Sequence, residues 1–284
     1  SGAKDDGPDA LLLLEILLHH RDKLRPLLWE ESSIRRIDGL SRARRRLVND
    51  RTKLICRLTS MLKEYYTQAL ELAGTSLSSP MELEFLSRWP DLIDLKRARE
   101  QTLRQFYYKR NVRRPERVAQ RLEQIKNAKA LTTDEAIVSV RKMEVASLVD
   151  QLKILEKHIK AMDKAIAEEF KSHENAELFR NLPGAGPTMA PRLLALFNDD
   201  TGRYDGPESI QKACGVAPVT ERSGQRRRVR WRYHASTFQR QTLVEWAGLT
   251  VRDCHWAKQF YERQISRGKK RQTILRALAF KWVR

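Results

Sequence analysis

From Thr132 to Phe170 the sequence reads "TTDEAIVSVRKMEVASLVDQLKILEKHIKAMDKAIAEEF". Val145, Leu148, Leu152, Leu155, Ile159, Met162 and Ile166 follow one another at alternating steps of three and four, the a/d seam of a heptad helix. A helix with such a stripe cannot bury it alone and requires a second helix of similar length. The chain contains one: between Leu11 and about Ala73, Ile34, Ile37, Leu47, Leu54, Ile55, Leu58 and Leu62 keep helical spacing. That stretch is expected to form one long helix or two nearly in line. Two arrangements satisfy the heptads, an antiparallel pairing inside one chain and a seam between two copies. Thr133 offers the helix start, with Asp134 and Glu135 in the first turn where the helix dipole favours acids.

Turn chemistry divides the remainder. "AGTSLSSP" ends the first helical stretch, and a shorter helical patch after it is broken at Trp89-Pro90. Beyond His173, "LPGAGPTMAPRLLALF" and "GPESIQKACGVAPV" each read as a turn followed by a helix, and from Trp231 helices continue to the end. No period-2 sheet pattern stands out and no repeat of fixed length is seen. The expected fold class is mainly α.

Of 284 residues, 55 are Lys or Arg and 36 Asp or Glu, a formal net charge of +19. With 41% hydrophobic residues the chain has enough apolar material for one or two packed domains. Such a positive potential gathers polyanions, so nucleic acid is the default partner. No apolar run approaches the roughly 20 residues of a membrane span, since "ALLLLEILLHH" is short and carries Glu15. Three cysteines form no CxxC pair. The reading is a soluble chain in a reduced cytosol, without membrane partner, disulfide framework or structural zinc.

Four constellations bear on chemistry. In "LPGAGPTMA", Gly184 and Gly186 suit the hairpin of a helix-hairpin-helix, whose following amides can face a phosphate; a plain tight turn fits equally. Ser223 and Gly224 lie in "TERSGQRRRVRWR" beside Arg222, Arg226, Arg227, Arg228 and Arg230. A serine attacking phosphorus needs charge stabilisation that guanidiniums supply, while a loop that only grips backbone phosphate has the same composition. Asp6 and Asp9 are spaced to share a helix face and ligate one Mg²⁺, although acids at a helix start also serve as caps. His234 is a phosphate contact, a packing residue or a proton carrier, and the last-quarter aromatics, Trp231 to Trp282, divide between core and base stacking.

Seven blocks, "AKDDGPDALLLLEILLHHRDKLRPL", "FLSRWPDL", "LPGAGPTMAPRLLALF", "GVAPVTERSG", "QRQTLVEWA", "WAKQFYERQISRGKK" and "RALAFKWVR", occur in this order. Together they resemble the DEDD-type transposases of the insertion-sequence family numbered one hundred and ten, relatives of the Piv invertases. The resemblance implies three parts: the end of a RuvC-like, RNase H-type domain over 1–28, a helical coiled-coil section over 29–175, and a serine-bearing transposase domain over 176–284. It also implies a DNA recombinase, guided by a bridge-type non-coding RNA that pairs with target and donor DNA, and working as a dimer or tetramer in the bacterial nucleoid. Lys4, Asp6, Asp9 and Ala10 match the family's Lys-x-Asp-x-x-Asp-Ala block, which makes Asp6 and Asp9 two carboxylates of an Asp-Glu-Asp-Asp Mg²⁺ site. Ser223 matches its nucleophile, forming a 5′-phosphoserine link, and Lys269 and Lys270 join the arginines and glycines above as nucleic-acid contacts. The family's first two acids should precede residue 1, so the chain is expected to be a fragment holding Mg²⁺ poorly. "ASTFQ" at 235–239 departs from the family's Cys-Pro version. Competing readings are a non-catalytic nucleic-acid scaffold and an invertase without guide RNA.

Overall fold

The computed structural model describes residues 6–24, 30–74, 76–112, 114–197, 202 and 204–284; Lys4 lies outside them. In chain order the helices are α1 (Asp6–His19), α2 (Ser32–Tyr65), α3 (Ala69–Leu72), α4 (Pro80–Arg88), α5 (Leu92–Arg97), α6 (Glu100–Lys109), α7 (Pro115–Asn127), α8 (Glu135–Lys171), α9 (Ala176–Arg180), α10 (Met189–Phe197) and α11 (Pro207–Ala213). Two short strands follow, β1 (Val219–Ser223) and β2 (Arg226–Arg230), and then α12 (Thr237–Asp253), α13 (His255–Ile265) and α14 (Arg271–Trp282). The fold is mainly α. It divides into two compact units, one of residues 36–192 and one of residues 1–35 with 193–284.

In the 36–192 unit, α2 and α8 run side by side. As the α2 partner advances from Arg36 through Arg44 and Arg51 to Glu64, the α8 partner retreats from Glu169 through Asp163 and Glu156 to Arg141. The heptad stripe is thus closed by antiparallel pairing within one chain. Arginines stand on α2 for three rungs and the sign reverses at the fourth, so a slipped register would oppose like charges. These pairs are partly solvated and each is worth at most about 1 kcal/mol. Burial carries more: Val145, Leu148, Leu152, Ile159 and Ile166 of α8 are buried, while Leu155 and Met162 of the same stripe are half-buried. The start of α8 falls one residue later than the Thr133 reading, because the Asp134 carboxylate accepts the Ala136 amide at 2.9 Å and caps the helix itself.

Helices α3 to α7 enclose an aromatic core in the same unit. Phe85, Trp89, Phe106 and Tyr107 meet ring to ring, edge-on or tilted, at 5.0–5.9 Å between centroids. The Trp89-Pro90 break serves this core: the Tyr65 hydroxyl donates to the Pro90 carbonyl at 2.6 Å, and Asp91 caps α5 by accepting the Asp94 amide. Lys142 of α8 reaches Asp91 and Asp94 at 2.7 Å each. Burial raises the Asp91 pKa, but the Asp94 amide and the Lys142 ammonium outweigh it and hold the carboxyl below its ordinary value.

In the other unit, α12, α13 and α14 form a small bundle around Leu243, Trp246, Ala247, Ala257, Phe260, Ile274, Leu275 and Leu278. Trp282 donates its indole N–H to the Thr250 hydroxyl at 2.9 Å. Despite the altered "ASTFQ" text, α12 starts cleanly, with Ser236 accepting the Gln239 amide. The antiparallel pair β1–β2 forms where no period-2 pattern stood out in the sequence. It escapes a period-2 search because nine of its ten residues are exposed, so no apolar alternation exists to be read. Along α1 every residue is exposed, Leu11 to Leu14 and Ile16 to Leu18 included. Among the described residues no helix is long and apolar enough to cross a membrane.

Candidate nucleic-acid interface

The hairpin is launched from a helix end. Past α11 the Val216 amide bonds to the Gln211 carbonyl at 3.0 Å and the Gly215 amide to the Lys212 carbonyl at 3.1 Å, the paired bonds of a Schellman motif. Gly215 holds φ 68°, and a Cβ there would stand 2.6 Å from the Ala235 Cβ and 2.9 Å from the Arg240 Nε. Only glycine lets the entry to the hairpin approach the start of α12 so closely. At the tip, Ser223 pairs directly with Arg226 across a two-residue turn of Gly224 and Gln225. Gly224 takes φ 58° while Gln225 stays negative, the type II′ combination that suits strand twist.

This register sorts the arginines. Residues opposite one another, and alternate residues along a strand, share a face. Ser223 therefore shares its face with Arg226, Arg228, Arg230 and Glu221, whereas Arg222 and Arg227 occupy the other with Thr220 and Val229. The local cluster read from sequence distance is thereby split in two. Arg230 is paired with Glu221 at 2.8 Å. Arg226 and Arg228 have no carboxylate partner among the described residues, and both are exposed beside the exposed serine. A hydroxyl flanked by two uncommitted guanidiniums is a place where a phosphodiester can be held by charge-assisted, bidentate hydrogen bonds. Glu221 is the one acid on this face and already holds Arg230; His234 is exposed beyond the strands.

The other expected residues fall elsewhere. Gly184 holds φ 70° in the turn between α9 and α10, which needs it. Gly186 does not have positive φ and has open space where a Cβ would stand. Its carbonyl accepts the Met189 and Ala190 amides at 2.9 and 3.0 Å, so those two N–H groups are satisfied within the turn. Lys269 and Lys270 are exposed between α13 and α14, Lys270 as the residue preceding α14. Asp6 and Asp9 both lie in the first turn of α1 and are exposed. No cluster of three or more His, Cys, Asp or Glu that could hold a metal occurs among the described residues. Two carboxylates on one open turn do not complete a site for a hard cation that takes about six oxygens.

Sequence reasoning missed the residues at the foot of the hairpin. Arg276 of α14 and Arg240 of α12 both lie over the Trp231 ring, their guanidinium carbons 3.7 and 4.6 Å from its centroid. Burial and the neighbouring Arg240 charge lower the Arg276 pKa below the ordinary arginine value. The signal available beforehand was the aromatic interleaving with arginine after Arg228, but the helical partners lie 9 and 45 residues beyond Trp231, too far for a local motif.

Comparison with known proteins gives this geometry a family. Residues 176–262, which include the hairpin, match the family described as Transposase IS116/IS110/IS902. Residues 1–67 match a second model, described as a transposase, of the DEDD type in the IS110 group. The mini-circle putative transposase for IS117 of Streptomyces coelicolor is 26% identical over 94% of this chain and 66% of its own length. An uncharacterized protein of insertion element IS116 from Streptomyces clavuligerus is 28% identical over 82% of the chain and 60% of its own length. One of insertion element IS900 from Mycobacterium paratuberculosis is 26% identical, with 97% and 68% covered. The chain thus spans roughly two thirds of the length of the relatives it matches. The matched stretches, 1–67 and 176–262, are thus both of the insertion-sequence transposase class. The second is matched by the model of the IS116/IS110/IS902 family and the first by one of the IS110 group.

Proposed function

We propose that this chain is the helical and serine-bearing part of a DNA recombinase that moves an insertion sequence, with Ser223 as the nucleophile. The observation that carries the reading is the hairpin tip: an exposed serine opposite Arg226, with Arg228 on the same face and neither guanidinium committed to an acid. In the step proposed, the Ser223 oxygen bonds to phosphorus, the bond from phosphorus to the 3′ oxygen breaks, and the serine proton ends on the released 3′ hydroxyl. Bond count is conserved, so the ester can be reversed by another 3′ hydroxyl without an outside energy source. Arg226 and Arg228 would hold the non-bridging oxygens as charge builds on them.

A net charge of +19 supports nucleic acid as partner. From the family resemblance we propose target and donor DNA as substrates, a bridge-type RNA as guide, and a dimer or tetramer as the working form. Mg²⁺ is part of the same proposal, with Asp6 and Asp9 offering two of the oxygens it would need and no more.

The test is to incubate the chain with nicked DNA substrates, denature, and map any protein–DNA adduct. An adduct on Ser223, absent from Ser223→Ala, is the expected result. Strand exchange retained by Ser223→Ala would leave the arginines as a passive grip and overturn the reading. Adding or withholding RNA in the same assay separates a guided recombinase from an unguided invertase.

A further inference from the structure

We infer that the groove at the foot of the hairpin is a site for one unpaired nucleotide of the DNA strand engaged at Ser223, a reading that rests on the function proposed above. The groove encloses about 700 Å³, within the range of roughly 300–1,000 Å³ that small-ligand sites occupy. Trp231, Trp256 and Phe280 line it, together with six cations, Arg230, Arg232, Arg240, Arg276, Lys281 and Arg284, and no carboxylate.

Of its six cations Arg230 alone has a carboxylate partner among the described residues, Glu221 at 2.8 Å. Arg240 and Arg276 share the Trp231 ring and repel each other, which is one reason the Arg276 pKa falls. The Nε groups of Arg232 and Arg240 are buried without an acceptor among the described residues. A buried donor left unfilled costs free energy that an incoming acceptor recovers. The half-buried Arg51 of α2 at least meets the Glu156 carboxylate at 2.9 Å, whereas Arg240 and Arg276 are gathered against an aromatic ring with no acid lining the groove.

A ligand that fits such a site is an anion with a flat ring attached. A phosphate fills the free N–H groups, and a base stacks on an aromatic or guanidinium plane. An acidic peptide would meet only half of that chemistry. The base must be out of its helix, because both faces of a base-paired nucleotide are already stacked. Continuity assigns it to the reacting strand: Arg230 shares a face with Ser223 and also lines the groove, so a backbone following that face leads into it.

The experiment measures binding of the chain to a fluorescent oligothymidylate, to a blunt duplex and to an oligouridylate, at one salt concentration, for the native protein, Arg276→Ala and Lys281→Glu. Lys281 is exposed, so its variant guards against a folding defect in the first. Expected is a selective loss of oligothymidylate binding in both variants, by about tenfold or more, with duplex binding little changed. Unaltered oligothymidylate binding in Lys281→Glu, an equal loss for duplex in both variants, or tighter binding of oligouridylate by the native protein would each overturn the assignment. The two readings fail separately. A Ser223 adduct formed normally by an Arg276→Ala protein with unaltered strand binding removes the groove site alone, while selective strand binding in a protein that never forms the adduct removes the role of Ser223 alone.

Discussion

The α2–α8 pair and the β1–β2 hairpin are both rich in arginine and use it in opposite ways. On α2, Arg36, Arg44 and Arg51 each face an acid of α8 across the seam. On the hairpin, Arg222, Arg226, Arg227 and Arg228 face solvent, and among the described residues none has a carboxylate partner. In the first setting the charge is consumed in fixing a register. In the second it remains available, and the strand geometry, rather than any partner, decides which side it serves. Net charge therefore says little about where a polyanion binds; what counts is the charge left after internal pairing.

The sharpest way to break this contrast is at the tip. Ser223→Ala is expected to reduce adduct formation at least about a thousandfold while leaving DNA binding intact, as measured by gel mobility and denaturing electrophoresis on the same samples. Next, the two hairpin faces should differ. Arg226→Ala with Arg228→Ala is expected to slow adduct formation about a hundredfold or more, and the Arg222→Ala, Arg227→Ala pair far less. Equal effects in a time course would mean that the register does not sort function. The salt dependence of binding sharpens the point further: removing one phosphate-contacting arginine should lower the slope of log affinity against log salt by about one, a change that Arg44→Gln on α2 should not produce.

Stability effects are smaller. Lys142→Met leaves Asp91 buried beside a lost partner and should destabilise the 36–192 unit by about 2 kcal/mol, read by thermal melting. Because the folded Asp91 pKa is lowered, its contribution is present above the unfolded carboxylate value and is lost as pH falls through the lower folded value. Melting of the native protein should therefore drop on acidification below about pH 4, and Lys142→Met should flatten that drop. Arg44→Gln, by contrast, removes one partly solvated rung and should cost at most about 1 kcal/mol.

What was legible beforehand follows the same division. The heptad stripe announced α8 and its long partner because burial imprints a period on sequence. It could not say whether the partner was in the same chain, since that choice lies in rungs such as Arg44 with Asp163, 119 residues apart. The hairpin left no period because it buries nothing. The arginines around Ser223 and Gly224 were in plain view, yet without a strand register they could only be counted, not assigned to faces. Arg240 and Arg276 were invisible as a pair, since only the packing of α12 and α14 brings them over Trp231. Resemblance to a family pointed to Ser223 as a nucleophile where local chemistry alone favoured a phosphate-gripping loop.

The two-stranded ribbon has a further consequence. With one neighbour each among the described residues, β1 and β2 both end in a bare edge of backbone groups, the feature by which sheets recruit extra strands. Like charge on two arginine-studded ribbons would oppose their zipping together, and a polyanion that neutralises one ribbon would weaken that opposition. Assembly of copies along an edge would then follow from loading with nucleic acid rather than precede it.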